Sequence, residues 1–440
     1  MKNPFLEFTK DKKVGLFGIG RSNIALMRLL AEEGREVTLR DEGKIDPTKI
    51  PKGLRVSGIY EGEAARQGID EDILTVSPSV RRERLGLQGK AVTVTSDFEI
   101  FLGYCKRPIY LVTGSDGKTT TTTLASRILG CGFPAIGNIG EPMTPHLTDG
   151  SSGYVIEASS FMLEYTEPRS RRAVITSFSE NHLNWHSSLR EYRAAKLRAI
   201  ARTEEAVISL DSPLFCPRVG KRLFALTAVS DLGKARVKDI SAEFYYDVEG
   251  GYVRENGRRI FAIADLLRRE EYNIKNFISA FALTRGEVSE ERAISVIAEF
   301  SGLAHRGEIF LRKGGITFIN SSIDTTPTRT IATLSGLDGG VILLLGGSDK
   351  GLDFSPLGNV ISERGDRVIA FGETANKIKA AMPNETVKVC RGLLEAVGEA
   401  LTLAKENDTV TLSPASASYD EFSDFEERGK AFKRWILEGF

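Results

Sequence analysis

The stretch "PIYLVTGSDGKTTTTTLASRILG", Pro108 to Gly130, decides how the chain is read. Its apolar run stops at Thr113-Gly114, a short polar loop ends in Gly117-Lys118-Thr119, and a helix-like segment continues to Leu129. A strand, a glycine-bearing turn and a helix start, in that order, make an anion cradle. The N–H groups of the turn and of the helix N-terminus converge on one place. Glycine allows a close backbone approach that a Cβ would block. Lys118 adds a mobile positive charge for outer phosphates, and the Thr119 hydroxyl is placed to bind Mg²⁺. Gly114, Ser115, Asp116, Gly117, Lys118, Thr119 and Thr120 are therefore candidates for holding a nucleoside triphosphate. Val112 occupies the position of the first glycine in the full GxxxxGK[ST] pattern, so a plain polar turn capping a helix stays open as an alternative.

Composition narrows the rest. The 440 residues suggest about three domains. Lys plus Arg is 59 and Asp plus Glu is 59. A formal charge of zero argues against broad binding to nucleic acid or to an anionic membrane. Cys105, Cys131, Cys216 and Cys390 are far apart, with no CxxC or Cys/His cluster; neither a disulfide framework nor a structural zinc site is indicated. The charged start "MKNPFLEFTKDKKVGLF" lacks an apolar signal core. No uncharged apolar run approaches the ~18 residues of a membrane span. The cytoplasm is the expected compartment, without membrane insertion.

Three sections each open as an α/β unit. "KVGLFGIG", "RSNIALMRLLAEEG" and "EVTLRDE" read as strand, helix and strand, which implies a parallel sheet. The second section is the quoted stretch. The third runs through "GITFINSSIDTTPTRTIATL", "GGVILLLGGSDKG", "RVIAFG" and "DTVTLSPASAS", apolar runs of the kind buried on both faces. "SAEFYYDVEGGYVRENGRRIFAI" alternates apolar and polar around Gly-Gly and reads as a hairpin of the middle section. The loop "GIGRSN" supplies GxG, with Asn23 where a third glycine would stand, and Asp41 closes the next strand. A nucleotide site other than a dinucleotide site, or a tight βα turn, fits equally.

Further stretches point one way: "GNIG" at Gly137–Gly140, "IEASSFMLE" at Ile156–Glu164, "ENHLNWHSSLREYRAAK" ending at Lys196, "NIKN" at Asn273–Asn276, "GLAHRGE" at Gly302–Glu308, "LLGGSDKG" at Leu344–Gly351 and "LSPASASYDEFSDFEERG" at Leu412–Gly429. Their order and spacing, together with "TGSDGKTTTT", resemble the Mur ligases across essentially the whole chain. The likeness is greatest to the members that use UDP-N-acetylmuramoyl-L-alanine and D-glutamate. The resemblance implies an α/β fold of three domains: a Rossmann-like UDP-substrate-binding domain over 1–103, a central P-loop ATPase domain with a mixed sheet over 104–303, and a Rossmann-like amino-acid-binding domain over 304–440. It implies a monomer that uses ATP and Mg²⁺ to convert a carboxylate into an acyl phosphate, which an amine then attacks.

Roles follow from the same resemblance. Lys118, Glu157, His182 and Lys196 would be catalytic. Thr119, Glu157, His182 and Lys196, the last as a carbamate, would hold the metal. Asn273, Asn276 and Arg306 would bind nucleotide. Arg21, Ser22, Asp41 and Ser77 match positions that hold UDP. Asn138 matches a residue near the substrate phosphates and acceptor carboxylate, and Thr325, Lys350, Ser418, Tyr419 and Phe425 complete the substrate set. Read from the residues alone, Glu157 is a strand-end acid, His182 a loop histidine, Lys196 one cation of a solvated helix face, the Asn273/Asn276 pair a polar surface feature, and Phe425 core packing.

Four departures from the family pattern stand out. Ser321 and Ile323 replace an acid and a lysine, Met162 replaces a glutamine, Asn181 and Asn184 replace aspartates, and Glu271-Tyr272 replaces Gly-His. Arg329 or Lys350 is the expected source of the missing positive charge. A divergent paralogue remains the alternative, either adding another amino acid or binding nucleotide without catalysis.

Overall fold

The apolar runs become the inner strands of three sheets in a computed structural model of the chain. It describes residues 2–87, 89–179, 185–212, 223–228 (backbone only), 243–337, 340–382 and 387–439. The first sheet contains β1 (Val14–Phe17), β2 (Glu36–Asp41), β3 (Arg55–Glu61), β4 (Ile73–Val76) and β5 (Thr93–Thr95), in the order β3-β2-β1-β4-β5. All its pairings are parallel. β1 and β4 are buried along their whole length, as strands covered on both faces must be. The strand order reverses between β1 and β4, which opens a crevice at their carboxyl ends.

The second sheet contains β6 (Ile109–Thr113), β7 (Ala135–Gly137), β8 (Tyr154–Glu157), β9 (Arg169–Ile175), β10 (Arg202–Ser209), β11 (Leu223–Ala228), β12 (Phe244–Glu249), β13 (Tyr252–Glu255) and β14 (Arg258–Ala262). Its order is β14-β13-β12-β11-β10-β9-β6-β8-β7. Pairings are parallel from β7 through β12 and antiparallel at β12/β13 and β13/β14. The expected hairpin is present and carries a third strand, because Asn256-Gly257 turns the chain once more at positive φ. β6 and β8 lie side by side and are buried along their whole length. Their carboxyl ends, Thr113 and Glu157, therefore open onto the same rim.

The third sheet contains β15 (Glu308–Lys313), β16 (Ile316–Asn320), β17 (Val341–Gly346), β18 (Arg367–Phe371), β19 (Val387–Cys390) and β20 (Thr409–Leu412), in the order β15-β16-β20-β17-β18-β19. Only β15/β16 is antiparallel. Ile342 and Leu344 face one apolar cluster with Phe432 and Ile436, while Leu343 and Leu345 face another with Leu357 and Ile361. This two-sided burial explains an uninterrupted Val-Ile-Leu run, each buried side chain contributing about 1.5–3 kcal/mol.

The chain forms two compact units, Met1–Phe300 and Ser301–Phe440. The first holds two of the sheets, tied together by polar contacts. Buried Asp97 accepts from the Met143 and Thr144 N–H groups at 2.9 and 2.8 Å, and Asn3 Nδ2 donates to Thr144 O at 2.9 Å. Among the described residues, no helix is long and apolar enough to cross a membrane.

Candidate active site

The loop after β6 is shaped by two glycines. Gly114 has φ +152° and Gly117 has φ +80°. A Cβ on Gly114 would lie 2.0 Å from Thr176 Oγ1, and one on Gly117 would lie 2.1 Å from Asn276 Oδ1. The segment after β9 fixes the loop from one side. Ser115 N donates to Ser177 O at 3.0 Å, Asp116 N donates to Ser177 Oγ at 2.8 Å, and Ser179 N donates to Ser115 Oγ at 3.0 Å. Gly117 caps the helix Lys118–Leu129, so the loop ends where that helix presents its first N–H groups. Thr119 is half-buried and Thr120 buried in its opening turn.

Two lysines meet at this loop. Lys118 Nζ donates to Gly114 O at 3.0 Å and to Ser115 O at 2.8 Å. Lys196 Nζ donates to the same Gly114 O at 2.8 Å. Lys196 projects from the helix Leu189–Ala201 and is only 1% exposed, so the reading as a solvated helix face is corrected. The helix packs that side against the loop, and Tyr192, one turn earlier, places its hydroxyl 2.8 Å from Ser115 Oγ. Burial, followed by the Lys118 charge, pushes the Lys196 amine down to about 7, against the opposing pull of Asp116 and Glu157.

Glu157 ends β8 and is 1% exposed. Its Oε1 accepts from Asn138 Nδ2 at 2.7 Å, and Asn138 N donates to Glu157 O at 2.9 Å. Its Oε2 is buried and has no hydrogen-bond partner among the described residues. An orphaned carboxylate oxygen in the interior is costly unless a cation or donor arrives. This oxygen and a threonine hydroxyl such as that of Thr119 are hard donors of the kind that suits Mg²⁺. His182, with Asn181 and Asn184, lies outside the described residues.

Asn273 and Asn276 lie on the helix Glu271–Thr284 and are buried, not surface features. Asn276 backs Gly117, and Asn273 Nδ2 donates to Glu270 Oε2 at 2.9 Å. Nothing in the sequence signalled the supports at Ser177, Ser179 and Tyr192, because each is more than 60 residues from the loop and reaches it only through the fold.

In the first sheet, the named residues gather at the crevice. Asp41 accepts from Ile19 N at 2.7 Å and from Gly43 N at 2.8 Å. A Cβ on Gly18 would lie 2.8 Å from Ser77 Cβ. Arg21 and Ser22 open the helix Arg21–Glu32, and Arg21 donates to Gly140 O in the loop that carries Asn138.

The second unit holds a separate group. Ser418 is buried, Lys350 and Arg306 are exposed, and Tyr419 is 71% exposed. Tyr419 N donates to Ser348 Oγ at 3.0 Å, which brings the loops after β17 and β20 together. Phe425 begins the helix Phe425–Glu438, and its carbonyl accepts from Ser322 Oγ at 2.7 Å. Thr325 N donates to Ile323 O at 2.9 Å. A residue not foreseen lies behind them. Arg428, fully buried, donates to Ala417 O, Ser416 O and Ser322 O at 2.7, 3.1 and 2.9 Å. Its signal was the "ERG" of the last quoted stretch. At the departures, Ser321 Oγ accepts from Gly307 N at 2.6 Å, and Ile323 O accepts from Arg329 Nη1 at 3.1 Å. Asp324 is buried against Ser413 and Thr333, and burial raises its pKa.

Known proteins resemble this chain over nearly its whole length. Residues 112–284 match the Mur ligase middle domain, and residues 305–416 match the Mur ligase, glutamate ligase domain. The chain is 33% identical to the UDP-N-acetylmuramoylalanine–D-glutamate ligase of Clostridium acetobutylicum and 34% identical to that of Acetivibrio thermocellus. Both matches cover 99% of this chain and 98% of the relative. Among solved structures, the UDP-N-acetylmuramate-alanine ligase MurC of Thermotoga maritima superposes with a TM-score of 0.58 at 16% identity, over 98% of this chain and 100% of that one. A pseudomurein peptide ligase type C of Methanothermus fervidus gives 0.53 at 18%, with the same coverage.

Proposed function

The chain belongs to the Mur ligase family, and from that premise we infer that it is an ATP-dependent ligase joining D-glutamate to UDP-N-acetylmuramoyl-L-alanine in peptidoglycan synthesis. The observation that carries the reading is the meeting of Lys118 and Lys196 at Gly114 O, beside a buried carboxylate with one unpaired oxygen. A chain that only needed a stable loop would gain nothing from two lysines on one acceptor.

The chemistry has two steps. A carboxylate oxygen of the acceptor takes the γ-phosphoryl group; an O–P bond forms, the bond to the β-phosphate breaks, and ADP leaves. The D-glutamate nitrogen then attacks the acyl carbon; the C–N bond forms, phosphate departs with the C–O electrons, and the nitrogen loses a proton. Bringing two anions together is the obstacle, and preorganised positive charge lowers it. Lys118 swings from its two carbonyls to the outer phosphates, which the first N–H groups of the helix Lys118–Leu129 hold. Asn138 orients Glu157 and faces the acceptor carboxylate.

Mg²⁺ fits the donor set: Thr119, Glu157, His182 and Lys196 would hold it, Lys196 as a carbamate. When bound, Mg²⁺ supplies charge neutralisation for the transferring phosphoryl group. The neutral form of the Lys196 amine attacks CO₂, the N–C bond forms, and the released proton goes to solvent. The product is an anion where a cation would repel both Lys118 and the metal. Asn273, Asn276 and Arg306 bind nucleotide, and Arg21, Ser22, Asp41 and Ser77 bind UDP. Thr325, Lys350, Ser418, Tyr419 and Phe425 receive D-glutamate. The working form is a cytoplasmic monomer, with domains bounded at 103/104 and 303/304.

Ser321 and Ile323 favour a second reading, a nucleotide-binding paralogue without ligation, since Ser321 points at Gly307 N and Asp324 is locked inward. Mass spectrometry of the full chain incubated with ATP, UDP-N-acetylmuramoyl-L-alanine and single amino acids separates these. Product with D-glutamate supports ligation. Product with another amino acid alone, or bound ATP without product, contradicts it.

A further inference from the structure

Arg81 lies in the loop that follows β4 in the first sheet, four residues after Ser77. Its side chain is 19% exposed and leaves its own sheet. Arg81 Nη1 donates to Trp185 O at 2.6 Å, and Nη2 donates to Glu191 Oε1 at 2.8 Å. Its guanidinium lies 5.2 Å from the centre of the Trp185 ring. The grip is returned: Trp185 Nε1 donates to Ser79 O at 3.0 Å. Two loops 106 residues apart are thus clasped at both ends.

The far side of the clasp leads into the phosphate loop. Glu191 lies in the first turn of the helix Leu189–Ala201 and also accepts from Ser187 N at 2.7 Å. The next residue, Tyr192, touches Ser115 Oγ, and Lys196 follows one turn later on Gly114 O. Trp185 stands three residues after His182 in the chain. Glu164, His186 and Glu191 bring their ligand atoms within 4.8 Å of one another. Arg81 faces Glu191, and Arg198 Nη1 lies 3.3 Å from Glu164 Oε1. This cluster is therefore balanced by guanidinium charge and does not call for a cation.

We propose that Arg81 is a positioning residue for the ligation: it links the Ser77–Ser79 loop to the helix that carries Lys196, so that substrate seated on the first sheet fixes the geometry at Gly114. The inference rests on the ligase reading, because it assigns UDP-substrate binding to Ser77 and catalysis to Lys196. It adds a residue that acts through Trp185 and Glu191. Arg rather than Lys stands here because one planar fork serves a carbonyl and a carboxylate together.

The test is steady-state ligation by the full chain, wild type against Arg81→Ala and Arg81→Lys, with ATP dissociation constants and melting temperatures measured alongside. A displacement of ~1 Å at reacting groups costs about 100-fold in rate. Arg81→Ala is therefore expected to lower kcat by roughly ten- to 100-fold and to raise KM for the UDP substrate. It should leave the ATP dissociation constant within about twofold, and Arg81→Lys should recover part of kcat. If Arg81→Ala does not fold, Arg81→Lys carries the same comparison. Unchanged kcat in a ligating preparation overturns the inference. So does a loss of ATP binding and melting temperature in proportion to kcat, which marks a merely structural contact. Failure of the wild type to ligate instead contradicts the ligase reading itself.

Discussion

Lys118 and Lys196, 78 positions apart in the chain, donate to one oxygen, Gly114 O, at 3.0 and 2.8 Å. Two ammonium groups so close repel, and one is buried. The arrangement is stable when Lys196 gives up its proton or its charge is reversed. That single relationship links loop shape, pKa and chemistry, and several outcomes follow from it.

The first concerns pH. The Lys196 amine is pushed down to about 7 from an ordinary 10.5. Below about 7 the folded chain carries a buried cation at a cost. Between about 7 and 10.5 the folded amine is neutral while the unfolded amine still holds its proton. The unfolded state therefore binds more protons in this window, and this group makes stability rise with pH across it. Urea midpoints in CO₂-free buffer should show this rise in the wild type and a flatter profile in Lys196→Met. Added bicarbonate should raise ligation rates more steeply above pH ~7 than below it. Identical midpoint profiles for the two proteins would contradict the burial argument.

Glu157→Gln tests the orphaned oxygen. Glutamine can keep the bond from Asn138 while removing the charge that Oε2 offers to a cation. Phosphate release should fall by about 100-fold. Stability without Mg²⁺ should hold or rise, since a buried charge has been removed. Thermal shifts with and without Mg²⁺ check the second part. A variant that keeps its Mg²⁺-dependent stabilisation and rate would remove Glu157 from the metal site.

Gly117→Ala tests the shape of the loop. The residue sits at φ +80°, and the new Cβ would lie 2.1 Å from Asn276 Oδ1. Backbone strain of this kind costs about 1–3 kcal/mol. Chemical denaturation should show that loss, and the Gly117→Ala/Asn276→Ala pair should recover part of it. Full additivity of the two changes would mean that the amide is not the obstacle.

Arg329→Ala tests the replacement of a lost cation. Arg329 is exposed and donates to Ile323 O, at the position where the family pattern has a lysine. Its removal should change stability by less than about 0.5 kcal/mol, while lowering ligation rate or substrate affinity roughly tenfold. Unchanged kinetics would leave Lys350 as the remaining candidate.

These sites differ in how far the sequence alone disclosed them. β6, the loop and the helix Lys118–Leu129 were legible because strand, turn glycines and helix start are neighbours in the chain. The runs in β17 and β18 were legible because burial on both faces leaves a continuous apolar signature. The third strand, β14, was hidden inside a hairpin pattern, since a two-residue period does not say how many times the chain turns back. Asn273 and Asn276 look like surface polar residues until the fold lays their helix under Gly117. Tyr192, Ser177 and Arg81 carry no local mark at all. Their partners lie 77, 61 and 110 residues away, and tertiary packing alone unites them.

The most direct test is phosphate release from ATP by the full chain, with each substrate omitted in turn and with Lys118→Ala alongside. Release that requires both UDP-N-acetylmuramoyl-L-alanine and D-glutamate, and that falls by about 100-fold or more in the variant, is the predicted result. Sustained ligation by Lys118→Ala, or ATP bound by the wild type with no turnover in the presence of both substrates, would contradict the account.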